Sequence, residues 1–157
     1  PGGEMTPAFA ERLNRLNKLR ELQGEVHYYP MDVSDYQQTE KALAAITAAH
    51  GQIAGVIHAA GNVDNQTFKL VENIDAQSVE DQFRPKIDGL LNLCALLGDT
   101  HLDFLWVSSS LSSVLGGLSF GAYAAANQFV DDYLAQHRGK NWSPTPCSDK
   151  QPRRLRR

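Results

Sequence analysis

Lys86, Ser110, Tyr123 and Asn127 are the residues of this chain whose types and spacing could do chemistry. A phenol can hand a proton to the oxygen of a carbonyl as hydride arrives at its carbon. A serine hydroxyl can hold that oxygen by hydrogen bonding, and a nearby ammonium makes the phenol a better acid. Tyrosine, serine and lysine together therefore suit reversible carbonyl–alcohol chemistry. Ser110 precedes Tyr123 by thirteen residues, Asn127 follows it by four, and Lys86 stands thirty-seven before it. On a helix the four-residue step puts Tyr123 and Asn127 on one face.

The elements that must position these groups can be read from periodicity. Phe9, Leu13, Leu16, Leu19 and Leu22 recur at helical spacing over 7–23, closed by Gly24. E-V-H-Y-Y-P-M-D-V has the aromatic and β-branched content of a short strand ending near Asp32. Ser34 is placed to cap a helix over 35–50, and Gly51 to end it. I-A-G-V-I-H-A-A-G and D-F-L-W-V-S-S are buried-strand candidates that open into small-residue loops. A helix is expected over 76–98, interrupted or entered afresh at Pro85. The last helix is expected over 122–138, with Phe129, Val130, Tyr133 and Leu134 on one side. Strands alternating with helices indicate an α/β fold with a parallel sheet and crossover helices. Ligands of such sheets sit beyond the carboxyl ends of the strands, where Asp32, Ala59-Ala60-Gly61 and Ser109-Ser110 fall.

The residue set and its spacing resemble the short-chain dehydrogenase/reductase superfamily, with one departure. Most of that superfamily reads Y-x-x-x-K, whereas this chain reads Y-A-A-A-N and offers Lys86 upstream. The exchange of lysine and asparagine resembles the ketoreductase domains of modular polyketide synthases, including hybrid polyketide–nonribosomal peptide synthases. H-A-A-G at 58–61, R-P-K-I-D-G at 84–89, S-S-L-S-S-V-L-G-G at 109–117 and Y-A-A-A-N-Q-F-V-D at 123–131 follow the same pattern in order. The resemblance runs from about residue 5 to residue 138.

That resemblance implies an incomplete Rossmann-like, doubly wound parallel sheet that lacks its first two strands. The catalytic portion would occupy 1–138, and 139–157 would be a basic, disordered tail outside the family pattern. It implies NADPH-dependent reduction of a β-ketoacyl thioester, carried on the phosphopantetheine arm of a carrier protein, to the β-hydroxyacyl thioester. Carrier protein and neighbouring synthase domains are the implied partners. Tyr123 would donate the proton, Ser110 position the carbonyl, and Lys86 and Asn127 support, with Lys86 also touching the nicotinamide ribose. Asp32 and Val33 would lie at the adenine edge, although Asp32 could equally share a helix cap with Ser34. Ala59, Ala60 and Gly61 are small enough for a cofactor to approach the backbone, a property that tight strand–helix packing also demands. V-D-N at 63–65 stands where many such domains carry L-D-D, and Leu115 where a tryptophan marks the opposite stereochemical class. The lean is to the first class, without an assignment of alcohol configuration.

Two features depart from the pattern. No strand, Gly-rich turn and helix of the kind that cradles a pyrophosphate is present. The phosphate loop and the residue that holds the 2′-phosphate are expected upstream, and the absence of an initiating methionine suggests a piece of something longer. The strands near 25–31 and 53–59 would then lack a neighbour, which favours poor stability or edge pairing. At the other end, K-Q-P-R-R-L-R-R holds five of the fifteen basic residues; the remaining ten against eighteen acidic residues leave a body at −8. A frameshifted or truncated gene, or an arbitrary boundary, would account for both ends. A truncated, non-catalytic remnant and a free-standing reductase of small ketones are the alternatives, and Asn127 argues against the second.

Composition narrows the rest. At 157 residues and 42% apolar content the chain amounts to one domain. It contains no apolar run long enough to cross a bilayer. Cys94 and Cys147 make no disulfide framework, and the start has no basic-then-apolar pattern, so a reduced cytoplasmic setting is expected. The five scattered histidines suggest no metal site, and His58, at an apolar strand end, reads as a satisfied core histidine. The acidic body offers no basic face to match the tail, so neither nucleic acid nor membrane is expected as a partner.

Overall fold

A computed structural model describes residues 7–21, 24–98, 100–137 and 144–146. The chain divides into two compact units, Pro1–Pro30 and Met31–Arg157. In the first, α1 spans Pro7–Arg20. Its proline sits where no intrahelical N–H is needed, and Lys18 and Arg20 face the negative end of the helix dipole. The residues after it correct the sequence reading. No strand forms over 25–33, although Val26, Tyr28 and Tyr29 favour one. Propensity only describes side chains that fit a pleated surface; the ladder needs a partner, and no described strand pairs with this segment.

In the second unit α2 spans Tyr36–His50. Its cap is Asp35, whose carboxylate accepts from Gln38 N at 3.0 Å; Ser34, the expected cap, instead donates to Asp32. Gly51 ends the helix at φ 84°, where a side chain would be strained. Strand β1, Gly55–His58, is followed by two single 3₁₀ turns at 65–67 and 71–73. Helix α3, Ala76–Phe83, begins with a reciprocal capping box between Asp75 and Ser78. The expected interruption at Pro85 is a π-helical turn over Arg84–Asp88, after which α4 runs Gly89–Leu97. Proline has no N–H to return to the preceding turn, and the ladder resumes with Gly89 N bonded five residues back, to the Arg84 carbonyl. Strand β2, Phe104–Val107, leads to the short α5, Ser112–Leu115, and to α6, Gly121–Gln136.

Residues 144–146, within the stretch expected to depart from the family, form β3, Pro144–Pro146. The rest of 138–157 lies outside the described residues. The strands are parallel in the order β1-β2-β3, with Val56 opposite Leu105, His58 opposite Val107 and Leu105 opposite Pro144. Helices α3 and α4 cross over from β1 to β2, and α6 from β2 to β3, as parallel pairing requires. The core lies on one face of this sheet. Leu90, Leu93 and Leu97 of α4 meet Leu105 and Val107 of β2 and Val130 and Leu134 of α6. On the other face, Ile57 is 65% exposed and Phe104 43%.

Gly89 is fixed by its neighbours. A Cβ there would stand 2.8 Å from Val33 Cγ1 and 3.0 Å from His58 Cε1. His58 itself is buried, with Nε2 3.3 Å from the Lys86 carbonyl, and burial pushes its imidazole below the ordinary 6.5.

Two predictions follow from this packing. Alanine is worth ~1 kcal/mol over glycine inside a helix, but overpacking costs about 1–3 kcal/mol, so Gly89→Ala should lower the urea midpoint. A raised midpoint would show that Val33 and His58 yield freely. For His58, the unfolded imidazole takes a proton near 6.5 while the folded one resists it. Its contribution is full above that pH and is lost as pH falls from there through the depressed folded value. Between pH 7.5 and 5.5 the wild-type midpoint should therefore fall further than that of His58→Gln, and equal falls would exclude the histidine as the cause.

Candidate active site

The π turn brings Lys86 inward at the carboxyl ends of β1 and β2. The residue is 5% exposed, and its Nζ donates to the Ser108 carbonyl at 3.0 Å. A Cβ on Gly61 would lie 3.5 Å from Lys86 Cε, so the loop after β1 approaches the lysine stem closely. Nζ lies 5.6 Å from the centre of the Tyr123 ring, within range of a cation–π contact. Burial pushes the ammonium below its ordinary 10.5, and the charge of Asp131 pulls the other way.

Tyr123 stands in the first turn of α6. Its ring is set edge-on against Phe68 at 5.5 Å and Phe120 at 5.9 Å, which meet each other at 5.3 Å. This aromatic triangle leaves few orientations open to the phenol. Asn127, one turn on, is fully buried; its Nδ2 donates to the Tyr123 carbonyl at 2.7 Å, and its Oδ1 has no hydrogen-bond partner. Asn127 thus faces the interior and not the solvent side of α6. Ser110 Oγ accepts from Ser112 N at 3.2 Å and from Ser112 Oγ at 3.0 Å. With both of its acceptor positions engaged, its own proton is left to donate elsewhere. Ser113 Oγ lies 2.8 Å from the Ser110 carbonyl and 2.9 Å from Asp131 Oδ2, tying the serine loop to α6.

A cleft of about 280 Å³ opens beside this cluster, lined by Asp32, Ser34, Gly61, Asn62, Asp81, Arg84 and Pro85. Asp32 accepts from Ser34 N at 2.9 Å and Ser34 Oγ at 2.7 Å, with Arg84 Nη2 at 3.5 Å. Those bonds from Ser34, and then the Arg84 charge, hold its carboxyl below 3.8. Asp32 is thus part of a turn ahead of α2 and not its cap. Val33 turns its side chain to the core, and its carbonyl accepts from Asn92 Nδ2 at 3.0 Å. Ala59 is exposed and Ala60 half-buried in the loop that carries Gly61 to the cleft.

The structure therefore brings Lys86 beside Tyr123, Asn127 against the Tyr123 backbone, and Asp32 and Gly61 to one cleft. Sequence reasoning passed over Arg84, Phe68, Phe120, Ser113 and Asp131. Arg84 and Asp131 lie inside the quoted strings R-P-K-I-D-G and Y-A-A-A-N-Q-F-V-D, and Asp131 is four residues past Asn127. Phe68 has no comparable signal.

Comparison with known proteins gives a consistent family. The model of the KR domain matches residues 5–147. Polyketide synthase PksL of Bacillus subtilis (strain 168) is 30% identical over 149 residues, which are 88% of this chain and 3% of that protein. Hybrid PKS-NRPS synthetase LUC5 of Fusarium sp is 38% identical over 122 residues, covering 77% of this chain and 3% of that protein. The chain thus spans a few per cent of the length of these relatives. Among solved structures, a ketoreductase domain from the bacillaene assembly line superposes with a TM-score of 0.77 at 29% identity, covering 87% of this chain and 34% of that one. The lysine beneath the tyrosine ring, the asparagine one turn beyond it and the parallel sheet that carries them belong together: the chain is a member of the KR-domain family of polyketide synthases, with the short-chain dehydrogenase/reductase fold.

Proposed function

We propose that this chain carries the catalytic portion of an NADPH-dependent β-ketoacyl reductase, acting on a thioester presented by a carrier protein's phosphopantetheine arm. The observation that carries this reading is the buried Lys86 ammonium set 5.6 Å from the Tyr123 ring centre. A cation in that position stabilises negative charge that develops beside it during the reaction. It acts in a partly dehydrated site, where charge is felt more strongly than in water.

The division of labour follows from the hydrogen bonds. Ser110, with its acceptor positions filled by Ser112, donates its hydroxyl proton to the substrate carbonyl oxygen and fixes it. Tyr123, held by Phe68 and Phe120, gives its proton to that oxygen as negative charge develops there. Asn127 binds the carbonyl of Tyr123 and offers a buried oxygen, Oδ1, for a bridging water. The nicotinamide, when bound, supplies the hydride. The residues present suit one side of such a cofactor. The Asp32–Gly61 cleft is an open depression of mixed polar and apolar lining, and Gly61 carries its wall up against the stem of Lys86. Neighbouring synthase segments are the proposed source of the remaining contacts, and the carrier protein and adjoining domains the proposed partners.

The test is loss of NADPH absorbance on mixing with a β-ketoacyl thioester. Tyr123→Phe, which keeps the ring packing and removes the proton, should cut kcat by roughly 10²–10⁴-fold, the range of general acid catalysis. Undiminished turnover by that variant would remove Tyr123 from the mechanism. If the chain alone is silent and turnover returns when the flanking synthase segments are added, the cofactor cradle is shared with them. Silence in both settings would overturn the proposed activity and leave a non-catalytic remnant.

A further inference from the structure

Of the two acidic residues of α6, Asp132 meets Gln128 at the surface, while Asp131 carries a shielded carboxylate oxygen that the proposed mechanism leaves without a task. It lies eight residues past Tyr123 and four past Asn127, so the three side chains form one stripe along the helix. Its two oxygens differ. Oδ2 receives Ser113 Oγ at 2.9 Å, while Oδ1 is shielded from water with no hydrogen-bond partner. Ser113 Oγ also lies 2.8 Å from the Ser110 carbonyl, so its single proton is shared between the backbone of the substrate-binding serine and the carboxylate. Along the same helix, α6 packs against the π turn that carries Lys86.

A link to Ser113 needs only an acceptor, which an amide oxygen would supply as well. A carboxylate in that place brings something more, a negative charge in a site that buries a cation. Lys86 makes one hydrogen bond, to a neutral carbonyl, and an ammonium removed from water is costly unless an opposite charge lies near. We propose that Asp131 is a positioning residue of this active site, holding the Ser110 loop to α6 through Ser113 and supplying the counter-charge for the Lys86 ammonium beneath Tyr123. The proposal rests on the reductase reading for its purpose but not for its test. The direction of the Asp131 influence on Lys86, opposing the effect of burial, agrees with it.

The test reads Lys86 itself. With lysine labelled at ¹³Cε, the Lys86 resonance is assigned by its loss in Lys86→Met, and its titration is followed in the isolated chain. Asp131→Asn, which preserves shape and the bond from Ser113, should lower the Lys86 midpoint, the direction expected for loss of an opposite charge. Asp131→Glu should restore it, and Ser113→Ala, which cuts the link but keeps the charge, should leave it in place. The other groups around the ammonium are controlled separately. His58 of β1 touches the Lys86 carbonyl and is already neutral in the alkaline window, Arg84 and Asp88 share its turn, and the Tyr123 phenol is removed by repeating the series in Tyr123→Phe. An unchanged Lys86 midpoint in Asp131→Asn overturns the proposal; should that variant not fold, Asp131→Ser removes the same charge and is judged by the same criterion. Because the signal needs no turnover, a shifted Lys86 in a chain that stays silent with and without the flanking synthase segments refutes the reductase reading alone, and an unshifted Lys86 in a chain that is active in either setting refutes the counter-charge alone.

Discussion

An ammonium with almost no access to water has to be accommodated before anything else in this site can form. Lys86 meets that demand with the Ser108 carbonyl at the end of β2, the face of the Tyr123 ring, and the charge of Asp131. They come from two elements besides the lysine's own, the end of β2 and helix α6, so the lysine acts as a gauge of whether β2, α6 and the turn after α3 have come together correctly. The hydrophobic cluster of α4, β2 and α6 supplies most of the driving force for that assembly, since burying each leucine is worth about 1.5–3 kcal/mol. The lysine contributes little net stability and a great deal of constraint on geometry. Buried charge of this kind is tolerated where function needs it.

The order of elements was largely legible in the chain. Cap and stop residues located α2 and apolar spacing α6, each within a residue or two, and the two apolar runs contain β1 and β2, although one face of each strand is more open than the buried-strand reading expected. Pro85 announced an interruption because proline removes one specific hydrogen bond wherever it occurs. The cap of α2 slipped by one residue, from Ser34 to Asp35, since both side chains can cap and only the path of the chain decides which does. The strand expected over 25–33 failed for a different reason. Its residues carry the right propensities, but a strand is a property of two segments, and one sequence window cannot show whether the second is there.

The site divides along the same line. Spacing within a helix relates Tyr123 to Asn127 directly, and the family resemblance singles out Lys86 and Ser110. Contacts made across elements were invisible: the Phe68 edge against Tyr123 joins residues more than fifty positions apart, and Arg84 reaches Asp32 and Ser34 over a similar distance. Asp131 could be seen to share a helix face with Asn127, but its bond to Ser113 depends on how α5 folds back on α6.

The π turn at Arg84–Asp88 has a consequence for the helix as a whole. Each residue of an α-helix advances the azimuth by about 100°, so a turn closed by five residues instead of four shifts everything after it by nearly that angle. The two sides of the turn therefore obey different wheels. Before it, the inward positions are the polar Ser78 and Gln82, the latter bonded to Asn62 and Thr67 of the loop after β1; beyond it, they are Leu90, Leu93 and Leu97 of the core. A single continuous helix could not satisfy both environments with one register. The lysine sits where the phase slips, and loss of one residue from this turn would turn either the loop contacts or the leucine stripe away from its partners, even with every side chain of the site retained.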